Sequence, residues 1–157
     1  MKSLSTYLES IIGNNDIYLE SLLDDDDKFY DPVNGKKLIE GWINENYKFT
    51  GKLTISNDFV VDCNNAVKVK NKSITSLTNG LFEWGKVGGS FSCSECKNLK
   101  SLEGAPKKVG YAFDCSQCGN LTTIKDGPEK VGIIFYCSEC PKLTITDSDR
   151  KKYKIDK

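Results

Sequence analysis

The stretch Val87-Gly-Gly-Ser-Phe-Ser-Cys-Ser-Glu-Cys96 opens a phrase that occurs three times in this chain, at intervals of 22 residues. The second copy opens with Val109-Gly-Tyr-Ala-Phe-Asp-Cys-Ser116 and the third with Val131-Gly-Ile-Ile-Phe-Tyr-Cys-Ser138. Self-similarity at a fixed period of about 20 to 29 residues is typical of solenoids, in which each repeat forms one coil and stacks on its neighbours. The sequence therefore predicts a small solenoid over residues 87–146. The recurring residues are Val87, Val109 and Val131; Gly88, Gly110 and Gly132; Phe91, Phe113 and Phe135; Cys93, Cys115 and Cys137; Cys96, Cys118 and Cys140; and Leu99, Leu121 and Leu143.

Charge and cysteine content limit the classes of protein to which this chain can belong. Its 157 residues include 22 basic and 22 acidic side chains, so no net field attracts nucleic acid or an anionic membrane. Residues 1–31 differ from the rest, because they carry two lysines against eight acidic residues, a net charge of −6. No apolar run is long enough for a signal peptide or a membrane span, so we expect a protein that is neither secreted nor membrane-bound. The seven cysteines are then expected to be thiols in a reducing cytosol.

The residue content argues against an enzyme. The chain contains no histidine, which removes the commonest general base, the usual catalytic triads and mixed Cys/His metal sites. A nucleophilic cysteine would need another activating group, and these cysteines lie in apolar surroundings that raise the pKa of a thiol. Val87-Gly-Gly recurs with the repeat, so it is a strand feature and no phosphate-binding loop. We therefore expect no catalytic residues.

The chain is predicted to divide into four segments, of which two precede the repeats, one contains them and one follows them. Residues 3–12 and 17–23 each show one apolar helical stripe, and the acidic run Asp24–Asp27 opens a linker that extends through Asn34-Gly35. Residues 36–47 predict a third helix, with Leu38, Ile39, Trp42 and Ile43 on its apolar face. The predicted division is 1–31, a helical docking or targeting segment with an acidic linker; 32–86, a helix with capping strands and a degenerate first coil at 65–86; 87–146, the three repeats; and 147–157, a basic cap or tail.

Alternation of apolar and polar residues predicts strands from Thr50 onwards. In the third coil, Val109, Tyr111, Phe113 and Cys115 would face inwards from one strand, and Gly110, Ala112, Asp114 and Ser116 would face outwards.

In the degenerate first coil, Val69 matches Phe91 and Leu77 matches Leu99 at the same 22-residue offset. Trp84 occupies the position of Pro106 and is predicted to close the core at that end. The fold class is therefore α+β, with short N-terminal helices followed by a small β-solenoid.

The repeat frame Phe-x-Cys-x-x-Cys-x-x-Leu-x-x-Leu resembles the leucine-rich repeat, in its variant with cysteine where asparagine usually stands. The phrases Val87–Ser94 and Asn98–Pro106 resemble, more specifically, short repeat proteins that are abundant in tailed bacteriophages. Residues 1–10 are similar to the N-terminal capsid-targeting peptides of internal proteins in T-even phages. These resemblances imply a curved, leucine-rich-repeat-like solenoid with a binding role and no defined catalytic site, located in the virion or in the host cytoplasm.

A binding role places the candidate interface on the outward face of the repeats. Tyrosine is enriched at interface hot spots, so Tyr136 is the strongest single candidate. The expected partner is a protein, either a phage capsid or virion component or a host protein. The predicted face consists of Ser90, Ser92 and Ser94 from the second coil, Ala112, Asp114 and Ser116 from the third, and Ile134, Tyr136 and Ser138 from the fourth.

The cysteines admit two interpretations. Cys93, Cys96, Cys115 and Cys118 have the spacing of a four-cysteine zinc site, which would suit a zinc-stabilised module that binds nucleic acid. Against zinc, every cysteine recurs in step with the apolar residues, and the third pair, at 137 and 140, would have no partner. Buried thiols that pack as small hydrophobes are therefore the favoured interpretation, without a cofactor. In the zinc alternative, nucleic acid would be contacted by Lys97, Lys100, Lys107, Lys108 and Lys130.

Overall fold

The structure is a computed structural model, and it describes residues 32–156. The helices predicted at 3–12 and 17–23, and the targeting peptide predicted within residues 1–12, lie outside the described residues. Within them, helix α1 spans Pro32–Asn46, so it begins four residues before the predicted start and includes the Asn34-Gly35 pair. Proline has no backbone N–H, so at the first helical position it removes one of the donors that would lack a partner within the helix. It is therefore a favourable first residue. Ile39 and Ile43 of α1 are buried, whereas Leu38 is 37% exposed.

Eleven short strands and a second helix follow α1 in the described residues. Helix α2 spans Asp147–Lys152 and precedes the last strand. Most strands contain only two to four residues, because each coil turns soon after it has paired with its neighbour. The strands are β1 (Tyr47–Phe49), β2 (Leu53–Ile55), β3 (Val60–Cys63), β4 (Val67–Val69), β5 (Glu83–Val87), β6 (Phe91–Ser92), β7 (Lys108–Val109), β8 (Ala112–Asp114), β9 (Lys130–Val131), β10 (Ile134–Tyr136) and β11 (Ile155–Asp156).

The strands form two sheets, and successive coils contribute neighbouring strands to each. Sheet A has the order β1-β4-β6-β8-β10-β11, and sheet B has the order β2-β3-β5-β7-β9. Coil-to-coil pairs are parallel, and only β1–β4 and β2–β3 are antiparallel. The result is a β-solenoid of about four turns behind a short helix. The predicted α+β class and the predicted solenoid are both confirmed.

Each regular coil has a corner where the sequence predicted one continuous strand. In the third coil the strand predicted through Val109 to Cys115 is interrupted at Gly110-Tyr111, where the chain passes from sheet B to sheet A. The glycine is required there, because a Cβ atom on Gly110 would lie 2.0 Å from the carbonyl oxygen of Gly88 in the preceding coil. The corner also rotates Tyr111 outwards. Its predicted inward orientation is wrong, since the side chain is 59% exposed.

An aromatic column runs along the solenoid axis. The rings of Phe91, Phe113 and Phe135 stack with centroid separations of 5.5 and 5.0 Å, and all three side chains are fully buried. Each such burial stabilises the fold by on the order of 2 kcal/mol. Tyr153 extends the column at the C-terminal end, 4.6 Å from Phe135. At the other end, Trp84 is buried with its ring 5.9 Å from that of Phe91.

The first coil is longer than the regular coils. Val67, and not Val69, pairs with Phe91 in sheet A, so the offset between these coils is 24 residues at this point. In sheet B, however, Val87 pairs with Val109 at the usual offset of 22. The first coil therefore accommodates two additional residues between β4 and β5, and the predicted Val69–Phe91 match is wrong.

Residues 147–156 close the C-terminal end. Thr146 caps α2 by accepting a hydrogen bond from the Asp149 backbone N–H at 3.2 Å, and Asp149 Oδ2 accepts one from the Thr146 N–H at 2.9 Å. Strand β11 then pairs with β10 in parallel, and the Tyr153 hydroxyl donates to the Pro128 carbonyl oxygen. Tyr153 and β11 therefore cover the last coil, whereas α2 itself contributes no buried residue.

Candidate functional site

The nine residues of the predicted interface lie along one surface, formed by the outward side of sheet A and the adjoining turns. None of them belongs to the buried core. Ser92 pairs with Asp114, and Asp114 pairs with Tyr136, so one residue from each of three coils forms a row across the sheet. Lys68 precedes this row on β4 and Asp156 follows it on β11. The structure therefore brings the predicted residues together on a single face.

Hydrogen bonds within this face hold its central carboxylate in place. Asp114 Oδ1 accepts from the Ser116 backbone N–H at 2.9 Å, and Asp114 Oδ2 accepts from the Ser92 hydroxyl at 3.3 Å. The hydroxyl oxygens of Ser92 and Ser94 lie 3.1 Å apart. Because these side chains are already oriented, a partner that contacts them pays little entropy for ordering them. The face offers oriented donors and acceptors on a flat surface.

Large apolar side chains are exposed on the third and fourth coils, beside this face. Tyr136 is 38% exposed, Tyr111 is 59% exposed and Ile133 is 55% exposed. Tyr111 and Ile133 are neighbours, because the Ile133 backbone N–H donates to the Tyr111 carbonyl oxygen at 2.9 Å. Sequence reasoning missed these two residues, since strict alternation placed position 111 inside the coil. The glycine that precedes each of them was the available signal for a corner.

All seven cysteines are buried as free thiols, which confirms the prediction of buried cysteines. The second cysteine of a pair bonds to the preceding coil: Cys118 Sγ donates to the Cys93 carbonyl oxygen at 3.2 Å, and Cys140 Sγ donates to the Cys115 carbonyl oxygen at 3.2 Å. These bonds satisfy backbone carbonyl groups inside the core, where an unpaired group is costly. The repeat of cysteine every 22 residues is therefore explained by contacts between coils.

The environment of the thiols opposes nucleophilic chemistry. Burial raises the pKa of Cys96 to about 12, and burial also raises the pKa of Cys115 and of Cys140. The pKa of Cys93 is raised by its hydrogen bond to Cys118 and by burial, and the same hydrogen bond lowers the pKa of Cys118. Because the thiolate is the nucleophile and the metal ligand, thiols that remain protonated at neutral pH are poor at both tasks. Between residues 32 and 156, no group of three or more His, Cys, Asp or Glu side chains is arranged to hold a metal ion.

The five lysines predicted to contact nucleic acid do not form one patch. Lys108 and Lys130 are adjacent in sheet B, whereas Lys97 and Lys100 lie in the turns that follow Cys96. Lys107 is paired with Glu83, with Nζ and Oε2 2.6 Å apart. The structure places a different lysine, Lys86, next to Lys108. The 22-residue period was the signal that could have identified it.

Comparison with known proteins provides no family assignment. No family model matches the chain, and neither a curated protein nor a solved structure matches it. None of the helices in the described part of the chain is long and apolar enough to span a bilayer.

Proposed function

We propose that this protein is a non-enzymatic module that binds another protein through the outward face of sheet A. The observation that carries the proposal is the position of Tyr136, an exposed aromatic side chain in register with the oriented polar residues Ser92 and Asp114. Tyrosine supplies a large contact area and a hydroxyl group, and it is enriched among residues that dominate binding energy.

The chemistry of the chain favours binding over catalysis. The sequence contains no histidine, and the pKa values of four buried thiols are raised. The hydrogen bonds of Asp114 fix its orientation in the way that suits recognition of a donor group on a partner. A flat sheet with an exposed aromatic residue matches an interface better than it matches a pocket for a small substrate.

A tailed bacteriophage is the proposed source, because the repeat phrases at 87–94 and 98–106 resemble those of phage repeat proteins. Within this proposal, residues 1–12 direct the protein into the virion, where its partner is a capsid or other virion component. This variant is supported by the similarity of residues 1–10 to capsid-targeting peptides. In the second variant, the protein acts in the host cytoplasm on a bacterial protein.

Affinity purification of the tagged protein from infected cells, followed by mass spectrometry, tests the interface. We expect one partner to be recovered with the unchanged protein and lost when Tyr136→Ser and Asp114→Ala are combined. The matched control is Leu38→Ser with Glu40→Ala, because Leu38 on α1 is 37% exposed and Tyr136 is 38% exposed. Equal recovery with both double variants would show that sheet A is not the binding face.

Deletion of residues 1–12 separates the two variants of the proposal. Recovery of capsid or scaffold proteins that is lost on deletion would identify packaged virion cargo. Recovery of one host protein that is unaffected by deletion would identify a cytoplasmic effector.

The zinc alternative is tested by elemental analysis of the reduced, purified protein. We expect far less than one zinc ion per chain, because thiols with raised pKa values lose more affinity for the metal than ordinary thiols do. Near-stoichiometric zinc, lost when Cys93 and Cys118 are replaced by serine, would instead support the four-cysteine module.

A further inference from the structure

Three lysines form a row on the outward side of sheet B. Lys86 pairs with Lys108, and Lys108 pairs with Lys130, in three consecutive parallel strands. Neighbouring strands lie about 4.8 Å apart, so the row places three ammonium groups within roughly 10 Å along the sheet. All three side chains are exposed. We call these residues the lysine row.

No lysine of the row is neutralised by a direct ion pair within the described residues, whereas the nearby Lys107 is paired with Glu83. Like charges directly opposite each other destabilise a sheet. The core does not require lysine there, because the buried residues that pack the same strands are the following valines, such as Val87 and Val109.

An exposed apolar pair adjoins the lysine row. Three residues after Lys108 and Lys130, the chain reaches Tyr111 and Ile133, which stand side by side at the corner between the sheets. Their side chains are 59% and 55% exposed. The residues between the row and the pair are Val109 and Val131, which are buried and half-buried, and two glycines, so no exposed side chain separates them. Positive and apolar groups thus share one ridge of the solenoid.

We propose that the lysine row together with Tyr111 and Ile133 is a second interaction surface, which binds an acidic polypeptide segment that also carries apolar side chains. Carboxylates of the segment neutralise the three ammonium groups and remove their mutual repulsion. Its apolar side chains cover Tyr111 and Ile133. This surface is distinct from the sheet A face, so the proposal does not depend on whether the proposed function is correct.

A polypeptide suits this ridge better than a nucleic acid. The row extends over only two strand spacings, which is a short footprint for a phosphate backbone. Acidic residues also lie close to the ends of the row, since Asp62 accepts the Lys86 backbone N–H and Glu129 directly precedes Lys130. Tyr111 is the single aromatic side chain of this surface, whereas single-stranded nucleic-acid sites stack successive bases on several aromatic side chains.

The test is fluorescence anisotropy with the full-length protein and a labelled peptide of sequence Glu-Glu-Leu-Glu-Glu-Leu-Glu-Glu, at low and physiological salt. We expect saturable binding that weakens with salt and that falls at least 10-fold when Lys86→Gln, Lys108→Gln and Lys130→Gln are combined. The matched control combines Lys97→Gln, Lys100→Gln and Lys125→Gln, three exposed lysines outside the row, and should change affinity less than 2-fold. Tyr111→Ser with Ile133→Ser should weaken binding 5-fold or more.

Thermal unfolding of the same variants shows whether they fold. The lysine-row variant should unfold at the same temperature as the unchanged protein, or higher, because repulsion has been removed. The proposal is wrong if the peptide does not bind, or if the two triple variants bind it equally. It is also wrong if oligothymidine displaces the peptide and binds more tightly, because the ridge would then be a nucleic-acid surface. The Tyr136→Ser, Asp114→Ala variant should retain peptide binding, which separates this result from that of the sheet A test.

Discussion

At the scale of single residues, the corner glycines allow the coils to approach each other closely. Gly88, Gly110 and Gly132 are stacked, and a Cβ on the second or third would overlap the carbonyl oxygen of the glycine before it. The Gly110 N–H donates to the Val87 carbonyl oxygen at 2.8 Å, so the contact is part of the pairing between coils. No other residue type fits this position without separating the coils.

Gly110→Ala should therefore destabilise the protein by about 3 kcal/mol, because the added methyl group must displace a backbone carbonyl and not a flexible side chain. Gly119→Ala is the matched control, since a Cβ there would meet nothing within 4 Å. Urea unfolding measures both changes. Equal stability of the two variants would contradict the close approach described here.

The residue directly before the second cysteine of each pair has a backbone conformation that its side chain does not favour. Glu95, Gln117 and Glu139 have φ values of 65°, 61° and 55°, in the left-handed region that usually requires glycine or asparagine. The Glu95 and Gln117 N–H groups bond to the next coil, where they donate to the Ser116 and Ser138 carbonyl oxygens at 2.9 Å each. Pairing between coils imposes this conformation, so the residue type alone could not predict it.

At the scale of elements, the solenoid depends on its two closed ends. Helix α1 and the first coil cover one end, with Tyr47 and Trp84 in ring contact at 5.4 Å. Strand β11 and Tyr153, which follows α2, cover the other, and the Tyr153 ring lies 4.6 Å from that of Phe135. Without such ends, the terminal coil of a solenoid would expose its apolar side.

Loss of the α2 cap should be measurable. Thr146→Ala removes the side-chain acceptor of the Asp149 N–H and should lower the free energy of unfolding by about 1 kcal/mol. Ser148→Ala, in the first turn of the same helix, is the control and should be neutral or slightly stabilising, because alanine favours helix. Chemical denaturation of both variants provides the comparison. A neutral effect of Thr146→Ala would mean that α2 contributes little to the closure of the core.

At the scale of the whole molecule, the buried thiols make stability depend on pH. Burial raises the pKa of Cys96 to about 12 and raises those of Cys115 and Tyr153. In the unfolded chain, thiols titrate near pH 8.5. Between these limits the folded state holds protons that the unfolded state has released, so the free energy of unfolding decreases as pH rises.

We therefore expect full stability below about pH 8 and a progressive loss above it. At pH 10, about 1.5 units above the unfolded pKa, the loss should be about 2 kcal/mol for each thiol whose folded pKa lies well above 10. Urea unfolding under reducing conditions at pH 7, 9 and 10 measures the effect, and Cys96→Ala should reduce the dependence on pH. A midpoint that does not change with pH would show that the thiols are as accessible to solvent as in the unfolded chain.

The sequence by itself determined the architecture of the repeats. A 22-residue period that recurs in phenylalanine, leucine and cysteine requires stacked coils, since only stacking buries the same positions in every copy. It also predicted the burial of the cysteines and the α+β class. The outward location of Ser92, Asp114 and Tyr136 followed from strand alternation, because one face of each strand had to be apolar.

Only the tertiary structure decided where the alternation breaks. Tyr111 continues the apolar alternation of its strand, yet it is exposed, because the corner at Gly110 depends on contact with a carbonyl oxygen 22 residues earlier. Pairing between distant residues also produces two further features. One is the 24-residue offset between Val67 and Phe91, and the other is the row formed by Lys86, Lys108 and Lys130. Local patterns specify which side chains prefer the core, whereas contacts between coils decide the register and the corners, and through them the surfaces available to a partner.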